Sequence, residues 1–328
     1  MNFLRLIRFP NLIIVALTQY LLQYYILLPE LKKVNSTPLL PDFEFFLLVF
    51  STILIAAGGY IINDIEDVDI DKLNKPEKKQ IVGRIYPLSI SWKMYLFSII
   101  LGFMISIYLA FFIHNFVQFL IYPAAVGMLY AYSKWWKRQP LIGNLVVAFF
   151  CAFVAWIVFY AEKINFISEK LHYVIARNEL LLRGYEANFL SEGTQQEGYD
   201  FLKFTFVGYA AFAFISTFFR EIIKDIEDVQ GDKAGNCRTL PVVIGVESSK
   251  KWAFMVGLIF LSLVVIFSFI LRGEWIKILI LNSIISLPII YALFLLVRAH
   301  KKEDFSFLSK LAKLIMLSGL VFILIMKL

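Results

Sequence analysis

Residues Ile61 to Asp71 read IINDIEDVDID, and residues Ile222 to Asp232 read IIKDIEDVQGD. Asp64, Asp67 and Asp71 stand at i, i+3 and i+7, and Asp225, Asp228 and Asp232 repeat that spacing 161 residues later. On a helix such positions share one face. Each row closes a long apolar run, where carboxylates oppose the helix dipole and are costly at the edge of a membrane. A hard divalent cation changes that balance. Carboxylate oxygens suit Mg²⁺, which keeps several waters and is usually shared between one or two carboxylates and substrate phosphates. Bases flank both rows: Lys72, Lys75, Lys78, Lys79 and Arg84 after the first, and Arg220, Lys224, Lys233 and Arg238 around the second. Two facing Asp rows with such bases make a Mg²⁺-dependent diphosphate site. One Asp-rich loop balanced by loop bases would read as solvated surface, but two matching copies do not.

The elements that must position these rows are membrane spans. The chain has 328 residues, is 60% hydrophobic and has a mean hydropathy of +0.74, whereas a soluble domain is about half apolar. Runs long enough to cross roughly 30 Å of hydrocarbon fall at about 9–28, 43–63, 92–113, 117–133, 141–160, 201–223, 252–271, 276–298 and 308–326. They predict an all-α polytopic bundle of nine transmembrane helices around a central cavity, because open strand edges cannot lie in lipid. With the N-terminus inside, 22 of the 32 Lys and Arg residues fall on the cytoplasmic side. That bias places the N-terminus in the cytoplasm, the C-terminus outside, and the protein in the cell inner membrane. Both Asp rows follow even-numbered spans, the second and the sixth, so both emerge on the cytoplasmic face as a direct repeat.

The net charge of +7 is that of cytoplasmic loops and calls for no nucleic acid. No obligatory protein partner is evident. Arg5 and Arg8 precede an apolar stretch with no small-residue cleavage site, so that stretch is a first span rather than a signal peptide. Residues 1–328 form one transmembrane domain, interrupted by a polar outward insertion at about 161–200 with seven acids and four bases. Cys151 and Cys237 fall in different contexts, which argues against a disulfide, and the three histidines lack metal-ligand spacing. Gly58, Gly59 and Gly127 are expected to permit close helix packing; no Walker or Rossmann fingerprint accompanies them.

At the Asp rows the sequence resembles the UbiA-type superfamily of intramembrane prenyltransferases. The family pattern Asn-Asp-x-x-Asp-x-x-x-Asp after the second helix is matched by Asn63, Asp64, Asp67 and Asp71, and the motif after the sixth helix by Asp225, Asp228 and Asp232. The likeness extends from the N-terminal RFPNLI, with Asn11, to the ninth span. Within the superfamily, REIIKDIEDVQGDKAGNCRTLPVVIG is most similar to the digeranylgeranylglyceryl phosphate synthase group. After the first motif the family reads Asn-Arg-Pro-x-Arg-Pro; here Asn74, Lys75, Pro76, Glu77, Lys78 and Lys79 stand there. Positive charge is kept, while bidentate guanidinium recognition of oxygen is not.

The resemblance implies transfer of a polyprenyl group, geranylgeranyl by preference, from an allylic diphosphate donor to a lipophilic acceptor, with a prenylglyceryl phosphate favoured. Mg²⁺ held by the two rows would neutralise the leaving group. Arg220, Lys224 and Arg238 would add cationic contacts, and Asn63, Asn74, Lys75, Lys78 and Arg84 would line the same mouth or hold an acceptor phosphate. Tyr60, Tyr130, Tyr132 and Phe219 are aromatic candidates for steadying the allylic cation, and Asn11 is a polar group in the first span. Within the class, an aromatic acceptor for quinone or pigment synthesis is the alternative. A transporter would place its acids near the midplane on broken helices, and a lipid-binding scaffold would not need the paired rows.

Overall fold

A computed structural model of the chain describes residues 2–33, 36–68, 80–182, 192–271 and 273–326, with side chains outside 116–119, 163–182, 192–197 and 270. Eleven helices follow one another: α1 (Asn2–Leu6), α2 (Phe9–Lys33), α3 (Asp42–Glu66), α4 (Leu88–Phe112), α5 (Phe116–Lys134), α6 (Ile142–Leu182), α7 (Glu192–Ala234), α8 (Leu240–Ile244), α9 (Val246–Ile270), α10 (Trp275–Arg298) and α11 (Lys302–Met326). A 3₁₀ turn, Trp136–Arg138, separates α5 from α6. The described residues contain no sheet, and an isolated bridge joins Val82 to Tyr86.

Among the described residues, eight helical segments are long and apolar enough to cross a membrane: α2, α3, α4, the first part of α6 (Ile142–Glu162), most of α7 (Gly198–Ala234), α9 up to Phe269, α10 and α11. These correspond to eight of the nine expected spans. The expected fourth, 117–133, is the 19-residue helix α5, which carries Pro123 in its interior and is not among the eight. The described parts of the 161–200 insertion are helical continuations of α6 and α7, which reach 41 and 43 residues.

The first half of the bundle is built on α3, which packs against α2, α4 and α5; the second is built on α7, which packs against α6, α9 and α11. Contacts of α2 with α6 and with α11 join the halves. Lipid tails are as apolar as these side chains, so shape complementarity and internal hydrogen bonds hold the helices together. Gly58 and Gly59 serve this purpose: ideal Cβ atoms there would lie 3.0 Å from Ile99 and 3.1 Å from Leu129. Gly127 does not, since nothing lies within 4 Å of its Cβ position. At the end remote from the Asp rows, the buried Glu162 carboxylate accepts backbone N–H bonds from Leu39 (2.9 Å) and Leu40 (3.2 Å), fixing the approach to α3.

Candidate active site

The repeated isoleucines set the direction of the acids. Ile61, Ile62 and Ile65 on α3, and Ile222, Ile223 and Ile226 on α7, are all buried. At about 100° per residue, burying Ile61 and Ile65 turns Asn63, Asp64 and Asp67 to the other side of α3. The same spacing turns Asp225 and Asp228 away from Ile222 and Ile226.

The two rows end differently. Helix α3 stops at Glu66, with Asp67 as its C-cap, so the first row does not continue as helix through Asp67. Five carboxylates between Asp64 and Asp71 load a helix C-terminus with the unfavourable sign. Helix α7 runs on to Ala234 and carries Asp225, Asp228 and Asp232 on one helix. Lys224 and Lys233 offset the charge there. Asn236, at φ 53°, reverses the chain, and the Cys237 amide donates to the Asp232 carbonyl at 2.9 Å, a six-to-one closure of the last turn.

The 3₁₀ turn and the start of α6 bring the rows together. Lys137 Nζ donates to Asp67 Oδ1 at 2.5 Å and to Asn63 Oδ1 at 3.2 Å, while Asn63 Nδ2 donates to Asp67 Oδ2 at 3.2 Å. The next residue, Arg138, accepts the Arg238 backbone N–H at 2.9 Å, just beyond the second row. One turn into α6, Asn144 Nδ2 donates to Asp225 Oδ2 at 2.9 Å. Tyr132 lies within electrostatic reach of Asp67, Asp225, Glu221 and Arg8 together. The described acids of both rows therefore open at one end of the bundle.

The rest of the site follows from these anchors. Arg8, at φ 50° between α1 and α2, stacks its guanidinium 4.7 Å from the Tyr60 ring centroid and lies 3.6 Å from Asp64. Asn11 Nδ2 donates to the Tyr60 hydroxyl at 3.3 Å. Lys224 is 3.8 Å from Asp228, Thr239 donates to Asp232 at 2.8 Å, and Arg220 pairs with Glu221. The Nε atoms of Arg138 and Arg220 are buried donors without an acceptor, which suits an anion's oxygens. Burial pushes the Lys137 ammonium below the usual lysine range, against the opposing pull of Asp67.

Three expected residues have other neighbours. Tyr130 is not grouped with Tyr132: it accepts from Lys134 at 3.4 Å and meets Trp135 edge-on. Phe219 is core, packed toward Gly257. Arg84 is exposed in the Val82–Tyr86 turn, which packs on Val68 through Gly83. Asp71, Asn74, Lys75 and Lys78, with Lys72 and Lys79, lie outside the described residues. Sequence reasoning missed Arg8, Lys137, Arg138, Asn144 and Thr239. Two signals pointed to some of them: a basic pair in the short loop WWKRQP, and an amide within the fifth apolar run.

Among the described residues no group of three or more carboxylate, histidine or cysteine side chains is close enough to cage a metal. The donor set nonetheless fits Mg²⁺. Asp64, Asp67 and Asp228 present partly exposed oxygens, and on Asp67 an ammonium already stands where a cation would bind. A donor set of this kind would gather Mg²⁺ together with phosphate oxygens rather than in an all-protein cage.

Residues 34–317 match the model of the UbiA prenyltransferase family. The chain belongs to the UbiA prenyltransferase family. It is a prenyltransferase and a multi-pass integral membrane protein. It is 32% identical over 256 residues to a digeranylgeranylglyceryl phosphate synthase of Sulfurisphaera tokodaii, covering 77% of this chain and 74% of the relative. A protein of the same name from Thermococcus kodakarensis is 31% identical over 272 residues, covering 80% and 79%. Among solved structures, a digeranylgeranylglyceryl phosphate synthase in membranes superposes with a TM-score of 0.63 at 23% identity, over 99% of this chain and 96% of that one. A UbiA homologue from Archaeoglobus fulgidus bound to DMAPP and Mg²⁺ superposes with a TM-score of 0.54 at 19% identity, over 99% and 100%. The shared fold is the UbiA helical bundle.

Proposed function

We propose that this UbiA-family enzyme transfers a geranylgeranyl group from geranylgeranyl diphosphate to the free hydroxyl of a prenylglyceryl phosphate, in a Mg²⁺-dependent reaction at the cytoplasmic face of the cell membrane. The observation that carries the reading is the bridge from Lys137–Asp67 through Arg138–Arg238 to Asn144–Asp225. It links the described acids of the two rows at one mouth, where a diphosphate would meet both. The curated relatives' names support the ether-lipid acceptor.

Asp64, Asp67, Asp71, Asp225, Asp228 and Asp232 are the residues that would hold Mg²⁺, which supplies Lewis-acid neutralisation of the leaving diphosphate when bound. Arg8, Lys137, Arg138 and Arg220 add fixed positive charge and donors around the same oxygens. The allylic C–O bond breaks with its electron pair leaving on diphosphate. The acceptor hydroxyl forms the new C–O bond, and its proton passes to one of the site carboxylates. Tyr132 is the aromatic residue best placed beside the allylic cation. Tyr60 already has Arg8 over its ring and acts instead by positioning Arg8 and Asn11. The surrounding helices exclude water, which would otherwise capture the cation. Nine spans with the N-terminus inside complete the arrangement.

The test is diphosphate release by purified protein in detergent with Mg²⁺, geranylgeranyl diphosphate and a panel of acceptors. Prenylglyceryl phosphate should support turnover. Turnover only with dihydroxynaphthoate, hydroxybenzoate or homogentisate would assign an aromatic acceptor instead.

A further inference from the structure

Away from the acid rows, α9 and α10 flank a groove of about 520 Å³. Phe254, Leu258 and Leu261 form one wall, and Leu293, Phe294 and Val297 the other. Every lining residue but one is apolar; the exception is Arg298, the last residue of α10. Its guanidinium lies 4.2 Å from the Phe294 ring centroid. Stacking of that kind holds the plane flat while leaving N–H edges for oxygen ligands. No carboxylate among the described residues forms an ion pair with Arg298.

The basic end of the groove is held together by a buried lysine. Lys250 Nζ, in the first turns of α9, donates to the carbonyls of Ala299 (2.8 Å) and Val297 (3.4 Å) at the end of α10, and lies 3.3 Å from Glu247. Glu247 is thereby partly neutralised. Lys251 and Lys301 are exposed beside it, and Trp252 is 45% exposed, as befits an interfacial aromatic. Because α9 starts, and α10 ends, at the bundle end where α7 carries its acids, this basic rim lies at the same end as the reaction site.

The groove is nevertheless walled off from that site. An ideal Cβ at Gly257 would stand 2.5 Å from Leu293 and 3.0 Å from Phe219, so these two side chains close over the glycine. Phe219 is fully buried, whereas its neighbour Arg220 pairs with Glu221 on the reaction side.

We propose that this groove binds an anionic phospholipid of the surrounding membrane, with an acyl or prenyl chain between α9 and α10 and the phosphate on Arg298. Any lipid chain fills an apolar groove in a bilayer. Selection comes from the headgroup: a guanidinium favours phosphate oxygens, and the Arg298, Lys251 and Lys301 charges favour a headgroup without its own cation.

The experiment is native mass spectrometry of the full chain in detergent with equimolar phosphatidylglycerol and phosphatidylcholine of identical chains. The wild type should retain phosphatidylglycerol about fivefold over phosphatidylcholine. Arg298→Gln should remove most of that preference, leaving the remainder due to Lys251 and Lys301, while diphosphate release and helical circular dichroism stay at wild-type levels. Leu258→Trp, which fills the groove, should lower retention of both lipids. Equal retention by the wild type, or full preference kept by Arg298→Gln, would overturn the proposal. Displacement of bound lipid by millimolar inorganic phosphate would also overturn it, as the mark of a free phosphate site.

Discussion

Asn144 donates its side-chain amide to Asp225 across 2.9 Å, tying the first turn of α6 to the helix that carries the second acid row. An amide donor on a carboxylate fixes one oxygen and leaves the other for a cation. Hydrogen bonds to charged groups contribute about 1.5–3 kcal/mol. Asn144→Ala should therefore lower kcat/KM for diphosphate release by roughly tenfold or more. Asn144→Asp, which sets a second carboxylate against the first, should lower it further. Wild-type kcat/KM in both variants would remove Asn144 from the site.

Lys137 occupies Asp67 with an internal cation at 2.5 Å. Lys137→Met should cut turnover by more than about tenfold, because in the proposed reaction the ammonium would also meet the leaving oxygens. The same change frees Asp67, so half-maximal Mg²⁺ should fall. A Mg²⁺ titration of the residual activity separates the two effects. A rise in the Mg²⁺ requirement would show that Lys137 supports metal binding rather than competing with it.

The Asp rows were legible in the sequence because DIEDV occurs twice at matching places, and eight of the nine expected spans were legible because lipid demands long apolar runs. Arg8, Lys137 and Asn144 were not, since each acts on an acid from another element: Arg8 on Asp64, Lys137 on Asp67, Asn144 on Asp225. Local spacing shows at most a basic pair in a loop or a lone amide in a span, and nothing of the acid each one meets. Tyr130 and Tyr132 show the limit from the other side. Both sit near the end of one apolar run, yet two residues on a helix face nearly opposite ways, and Tyr132 is the one within electrostatic reach of Asp67 and Asp225. The described parts of the polar 161–200 insertion extend α6 and α7 as helix.

Glu162 is 1% exposed and accepts two backbone N–H bonds from the chain entering α3. Glu162→Ala leaves those amides without their acceptor, at a cost of about 1–3 kcal/mol. Thermal unfolding in detergent should shift down, while kcat/KM at temperatures below the transition stays near wild type. Lost activity with an unchanged melting temperature would place Glu162 in the chemistry instead.

Gly102 receives the Tyr122 hydroxyl, which bonds to the Ser98 carbonyl at 3.3 Å. A Cβ at Gly102 would collide with that hydroxyl. Overpacking of this kind costs about 1–3 kcal/mol, so Gly102→Ala should lower the melting temperature. Gly127→Ala, where the Cβ position is open, should not; equal shifts for both would contradict the α4–α5 packing.

The union of the two acid rows at one diphosphate is tested most directly by single-turnover diphosphate release from geranylgeranyl diphosphate with saturating Mg²⁺ and prenylglyceryl phosphate. Asp64→Ala, on α3, and Asp225→Ala, on α7, should each reduce release to background in folded protein. Wild-type release from both variants would contradict the account.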